Sequence, residues 1–280
     1  MTMVTRIGLV AAAACGQITV NQPGQESVRF SSGGISLAGE IAFPEGSGPF
    51  PAVVLVHGSG PVTRDGNRPL VAPFLARGIA VLSYDKRGTG ESGGLYRGVG
   101  PLNSDSMIRL LADDAIAALE LLARHRRIVK TRLGLAGGSQ AGWIIPNAAA
   151  RFPVRFSVML SGPLVSVGEE IHYSQAFEQS TLPLEKADSV MATFSGPKGY
   201  GPIADIVAMH GEAYWVLGGK DRSIPAVRSA FLADSLIRTL GRKQWRALLL
   251  PSGDHSLFAP DGRPLEVFPP MQTWLDLVLR

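Results

Sequence analysis

Two serines in this chain sit in settings that could make a nucleophile. Gly90-Glu91-Ser92-Gly93-Gly94 and Gly137-Gly138-Ser139-Gln140-Ala141 each place a hydroxyl among small residues. A sharp strand-to-helix turn can lift a hydroxyl clear of a sheet, and such a turn leaves little room for side chains beside it. A hydroxyl presented that way can attack an acyl carbon if a base removes its proton and N–H donors hold the oxyanion. With 33 glycines in the chain, a chance match to the pattern is unsurprising, so the string alone does not choose. Context does. Leu133-Gly134-Leu135-Ala136 ahead of Ser139 reads as a strand, and residues 141–150 behind it read as a helix whose N-terminus would favour negative charge. Pro146 weakens that helix by no more than a kink. Ser92 follows the loop 85–90 and runs into residues 93–98 with no helix in prospect. Ser139 is therefore the expected nucleophile and Ser92 a loop residue.

The base and its orienting acid are sought further along, because a nucleophile on such a turn is followed in chain order by a carboxylate and then a histidine. His255 lies in the loop Ser252-Gly253-Asp254-His255-Ser256, just after the last apolar strand. His210 precedes a strand instead of following one, His172 lies in an irregular stretch, and His125 ends a surface helix. His255 is the expected base. Asp221 follows the strand Tyr214 to Leu217 through Gly218-Gly219-Lys220, and is the expected acid. Asp254 is adjacent to His255 and suits a turn former, and Asp205 comes before the relevant strand. The oxyanion donors expected are the backbone N–H of Gln140 and that of Ser59 in His57-Gly58-Ser59-Gly60, with Gly58 or Gly60 as alternatives to Ser59. His57 reads as a residue that orders this loop.

Those side chains are far apart in sequence, and the elements between them must bring them together. Ala52-Val53-Val54-Leu55-Val56 is apolar throughout, as suits a strand covered on both faces. Ile79 to Tyr84, Leu133 to Ala136, Phe156 to Leu160, Ala213 to Leu217 and Trp245 to Leu250 continue the series. Helical patterns fall between them at 70–76, 107–125, 141–150 and 227–240, with a last one at 271–279. Alternation of this kind predicts an α/β fold with a mostly parallel central sheet and helices on both faces. Ahead of it, Ser27 to Phe30 and Ile35 to Ile41 alternate apolar and polar residues around Gly33-Gly34, the pattern of a β-hairpin. The rhythm breaks over 164–211, where Pro183, Pro197 and Pro202 interrupt two helical stretches. That segment is expected to be a small inserted lid, a plain surface excursion being the alternative. The core domain is then 27–163 with 212–280.

Composition narrows the classes of function. Hydrophobic residues make up 45% of the 280-residue chain and charged residues 18%, which allows one sizeable folded domain. The net charge of +4 is scattered, and the basic run Arg124 to Arg127 lacks the interleaved aromatics of a single-strand binder. No nucleic-acid partner is expected. Arg6 precedes the apolar run 7–14, then Cys15-Gly16-Gln17, so residues 1–26 read as an export or lipoprotein signal with a linker. Export to a periplasmic, secreted or lipid-anchored location is the expectation, with a cytoplasmic location as the alternative. No other run approaches the length of a membrane span. The lone cysteine cannot build a thiolate zinc site and no H-E-x-x-H occurs, so neither a metal nor an organic cofactor is implied. The oligomeric state is left open.

Together these pieces resemble the α/β-hydrolase superfamily over about Phe30 to Arg280, and in particular bacterial serine carboxylesterases. The likeness is carried by His57-Gly58-Ser59-Gly60-Pro61 with Arg64-Asp65-Gly66-Asn67, and by Asp85-Lys86-Arg87-Gly88-Thr89-Gly90-Glu91-Ser92. The second stretch is usually structural in that family, which accounts for the Ser92 match. Ala141 replaces the usual final Gly of the nucleophile motif and is nearly as small. The resemblance implies a hydrolase of small-molecule carboxylic esters working through an acyl-enzyme, with Ser139, Asp221 and His255 as the triad. Peptidase or acyltransferase chemistry on the same triad is the alternative. A serine at position 139 argues against haloalkane dehalogenase and dienelactone hydrolase chemistry.

Overall fold

The computed structural model describes residues 18–22, 24–257 and 266–280. The apolar run 7–14 and Cys15, on which the export reading depends, lie outside the described residues. Among the described residues nine strands form one sheet: β1 (Ile18–Gln22), β2 (Gln25–Ser32), β3 (Ile35–Ala42), β4 (Phe50–Val56), β5 (Ala80–Tyr84), β6 (Ile128–Gly138), β7 (Phe156–Leu160), β8 (Glu212–Gly218) and β9 (Arg246–Leu250). Their spatial order is β1-β2-β3-β5-β4-β6-β7-β8-β9. Pairings from β5 through β9 are parallel, and those joining β1, β2, β3 and β5 are antiparallel. The expected hairpin is β2 and β3, turned at Gly33 and Gly34, both with positive φ as a two-residue turn of this hand requires. One expectation needs correction. Residues 21–26 are largely not linker, because β1 reaches Gln22 and β2 begins at Gln25.

The helices are α1 (Arg68–Leu75), α2 (Ser104–Arg124), α3 (Ala141–Ala149), α4 (Val167–Phe177), α5 (Ala187–Ala192), α6 (Ile203–Ala208), α7 (Ala226–Leu240) and α8 (Phe268–Val278). The continuous apolar run of β4 follows from where its side chains go. Ala52, Val54 and Val56 pack in one core with α2 and α3, while Val53 and Leu55 pack in a second core with Phe74 of α1 and Met271, Trp274 and Leu275 of α8. A half-covered strand would need polar residues at every second place. Each of these valine and leucine side chains, fully buried, contributes about 1.5–3 kcal/mol before entropy is counted. The longest helix, α2, presents Ile108, Leu111, Ala115, Ala118, Leu119 and Leu122 to the first core, the 3.6-residue stripe read from the sequence.

The stretch 164–211 is built from α4, α5, α6 and connecting loops. Ser166 and Glu169 form a reciprocal capping box that starts α4. Among the described residues no helix is long and apolar enough to cross a membrane.

Candidate active site

Register brings the ends of distant segments to one edge. Gly138 at the end of β6 lies beside Leu160 of β7, Leu160 beside Val216 of β8, and Gly218 beside Leu250 of β9. The loops leaving those strands therefore emerge on the same side of the sheet, and they carry Ser139, Asp221 and His255.

Ser139 adopts φ 57°, a left-handed backbone that a non-glycine residue rarely holds. The turn is pinned by Ser139 N–H donating to Leu160 O (2.9 Å) and Gly142 N–H donating to Ser139 O (2.8 Å). Small flanking residues are required by contact. A Cβ on Gly137 would collide with the carbonyl of Val56 and come within 2.7 Å of the Ala141 Cβ. Further along α3, a Cβ on Gly142 would lie 2.5 Å from Gly162 Cα. Ala141 fits, as expected, and is fully buried.

Asp221 and His255 meet. His255 Nδ1 lies 2.8 Å from Asp221 Oδ2, with the carboxylate side chain wholly buried and the imidazole 31% exposed. The other oxygen, Oδ1, accepts the N–H groups of Ser223 (2.8 Å) and Ile224 (2.9 Å), which fixes the plane of the carboxylate. Burial works to lower the His255 pKa, but the hydrogen bond and charge of Asp221, aided by Glu170 and Glu178, outweigh it and raise it. Asp254 accepts the Ser256 N–H at 2.9 Å, the turn-forming part expected of it. His210 follows α6 and its N–H donates to Ala149 O, while His172 lies on α4 and reaches Val190 O through Nε2. His125 pairs with Glu26 at 2.9 Å at the far end of α2. The structure brings none of these three to Asp221.

The loop after β4 faces Ser139. A Cβ on Gly58 would be 3.7 Å from the Ser139 Cβ. Neither the Ser59 N–H nor the Gln140 N–H finds an acceptor among the described residues, so both expected oxyanion donors are free to bind a ligand. His57 is buried, its Nε2 lies 2.5 Å from Tyr84 O, and burial pushes its pKa down to about 4. A neutral imidazole donating to a backbone carbonyl orders this loop.

Sequence reasoning missed residues that only packing reveals. Lys86 is 1% exposed and its Nζ donates to Gly58 O, Gly60 O and Gln140 Oε1. Tyr173 of α4 donates its hydroxyl to Asp221 O at 2.8 Å. Glu170, one turn earlier, has its carboxyl pushed up to about 7 by burial, with Glu178 and Asp221 adding and His255 opposing. A lysine is almost never fully buried, and nothing local in the sequence marks Lys86 as an exception.

A doubly wound sheet, a strained serine turn at the end of a central strand, and an Asp–His pair on neighbouring loops define an α/β-hydrolase. Residues 68–280 match the model of the prolyl oligopeptidase family, and the chain belongs to that family. Esterase EstD of Thermotoga maritima is 31% identical over 151 residues, a match covering 51% of this chain and 34% of that protein. The match thus spans about a third of that relative's length. The fold is also close to an esterase of Pyrococcus furiosus (TM-score 0.67, 15% identity, 90% of this chain and 92% of that one). An acetyl xylan esterase of Thermoanaerobacterium is similar as well (TM-score 0.63, 18% identity, 94% and 87% covered).

Proposed function

We propose that this protein hydrolyses carboxylic esters through an acyl-enzyme, with Ser139 as nucleophile, His255 as base and Asp221 as the acid that orients it. The observation that carries the reading is the 2.8 Å Asp221–His255 contact on loops that share an edge with the strained Ser139 turn. Asp221 holds Nδ1 of the imidazole, leaving Nε2 to take the hydroxyl proton. Oγ of Ser139 bonds to the acyl carbon, and the carbonyl electron pair becomes an oxyanion held by the Ser59 and Gln140 N–H groups. His255 then passes its proton to the departing alkoxide. Water deprotonated by the same imidazole attacks the acyl carbon and frees the acid.

The segment 164–211 acts as a lid in this reading, supported by the bond from Tyr173 to the backbone of Asp221. Ester over amide turnover is favoured by the likeness to esterase EstD, although the family name carries the amide alternative. Short-chain p-nitrophenyl esters, with an aminoacyl p-nitroanilide for comparison, test both. Turnover of the esters by wild type, lost in Ser139→Ala, is the expected result. Equal rates in the two proteins would end the assignment, and preferential anilide cleavage would move it to peptidase chemistry.

A further inference from the structure

Lys86 belongs to neither the triad nor the donor pair, yet it is tied to both halves of the proposed oxyanion hole. Its Nζ donates to Gly58 O at 2.8 Å, Gly60 O at 3.0 Å and Gln140 Oε1 at 2.9 Å, and lies 3.8 Å from the centre of the Tyr96 ring. Three acceptors take all three protons of an ammonium, whereas a neutral amine has only two to donate. The arrangement therefore calls for the charged form. Burial drags its pKa down to about 7.

Peptide geometry turns these contacts into a statement about the site. The Gly58–Ser59 peptide is planar and trans, so its C=O and N–H point in opposite directions. Capture of Gly58 O by Lys86 on one side thus aims the Ser59 N–H to the other. The next carbonyl held, Gly60 O, belongs to the peptide of Pro61, which has no N–H to compete. Gly58 and Gly60 flank Ser59 with residues whose backbone can readily turn over, so the working orientation needs an external hold. A flipped Gly58–Ser59 peptide would present an oxygen to the oxyanion and repel it. On the opposite side, the Gln140 side chain is gripped by Lys86 and also donates from Nε2 to the Tyr96 hydroxyl at 3.2 Å. That grip anchors the residue whose backbone N–H is the second donor.

We propose that Lys86 is the positioning residue of the oxyanion hole, its ammonium locking the Gly58–Ser59 peptide and the Gln140 turn so that both N–H groups face the substrate carbonyl oxygen. The proposal rests on the ester-hydrolase reading above. It gives a task at the site to a loop, 85–92, whose other contacts only build the fold.

The test uses Lys86→Met, which keeps the stem and removes the donors, with two readouts that a purely structural role would not move together. The first is the split between kcat and KM for p-nitrophenyl butyrate. The second is the affinity of an alkyl trifluoromethyl ketone, which adds to Ser139 Oγ as its carbonyl becomes an oxyanion and the hydroxyl proton passes to His255. Loss of an oxyanion donor typically costs about 10²–10³ in kcat. K86M is expected to lose about 100-fold in kcat with KM within about threefold, and to bind the ketone weaker by a similar factor. A folded K86M with wild-type ketone affinity overturns the proposal, whatever its kcat. If K86M does not fold, Gln140→Met removes one of the three tethers and is expected to weaken ketone binding by about fivefold, well short of a full donor loss. Unchanged affinity in Q140M then overturns the proposal. Ser139→Ala run alongside separates the two claims: turnover retained in S139A sinks the hydrolase reading, whereas turnover lost in S139A but intact in K86M sinks only the part assigned to Lys86.

Discussion

Ser139 and Ser92 stand in nearly the same five-residue pattern and do opposite things. The Ser139 hydroxyl leaves a strained turn at the end of β6, with no hydrogen bond to the protein among the described residues. The Ser92 hydroxyl is spent: it donates to Asp85 O at 2.6 Å, accepts from Ala38 N–H at 2.9 Å, and the residue is buried. Around it, Asp85 accepts from Arg64 (2.7 and 3.0 Å) and from the Glu91 N–H, and Arg87 pairs with Asp114 in the interior. Burial would raise the Asp85 pKa, but the Arg64 guanidinium and the backbone N–H groups of Arg64 and Glu91 hold it down at about 2. One serine stands on a strained turn with its hydroxyl unspent; the other is a fastener in a polar knot. A candidate nucleophile is told from its match by what its hydroxyl is not doing.

Substitutions can break that contrast or sharpen it. The largest effect is expected from S139A, where ester turnover should fall by about 10⁵–10⁶ while thermal stability is little changed. Next is D221N, expected to lower kcat by about 10³–10⁴. Asp221 raises the His255 pKa, so its removal should also move the acid limb of the kcat/KM profile to lower pH. A limb that stays in place would mean that another group titrates there. Arg87→Met leaves Asp114 buried without its partner and should cost about 3–5 kcal/mol in denaturant unfolding. Ser92→Ala should cost about 1–3 kcal/mol through two lost buried hydrogen bonds, with kcat held within about threefold. Loss of turnover in folded S92A to the extent seen in S139A would overturn the contrast altogether.

The smallest effect concerns Glu170, beside His255. Its folded pKa of about 7 lies above the ordinary 4.5, so the folded chain holds a proton that the unfolded chain releases. Stability is therefore lost as pH rises from about 4.5 towards 7. Glu170→Gln cannot ionise, and should raise Tm relative to wild type at pH 8 with the gain shrinking near pH 4.5. An equal change at both pH values would show that ionisation of Glu170 carries no cost.

Much of the fold could be read from order along the chain. An apolar strand such as 52–56 has no solvent-facing residues to offer, so it demands cover on both faces, and the helices between strands supply it. The same logic placed Ser139, Asp221 and His255 after strands, and the hairpin at Gly33-Gly34 declared itself by its turn residues. The short β1 was not legible, because its polar end, Asn21-Gln22, runs on into a stretch that reads as a linker. Neither was α6, whose six residues are too few to show a period.

What the chain order by itself determined was the set of groups at strand ends, since period and turn chemistry are local properties. Only the tertiary structure decided which of them interact. The Asp221–His255 contact, the spent hydroxyl of Ser92 and the burial of Lys86 against three oxygens each join segments remote in sequence. The physical reason is that the worth of a charge or hydroxyl depends on its neighbours and on the water taken from it, and neither is written in the residues beside it.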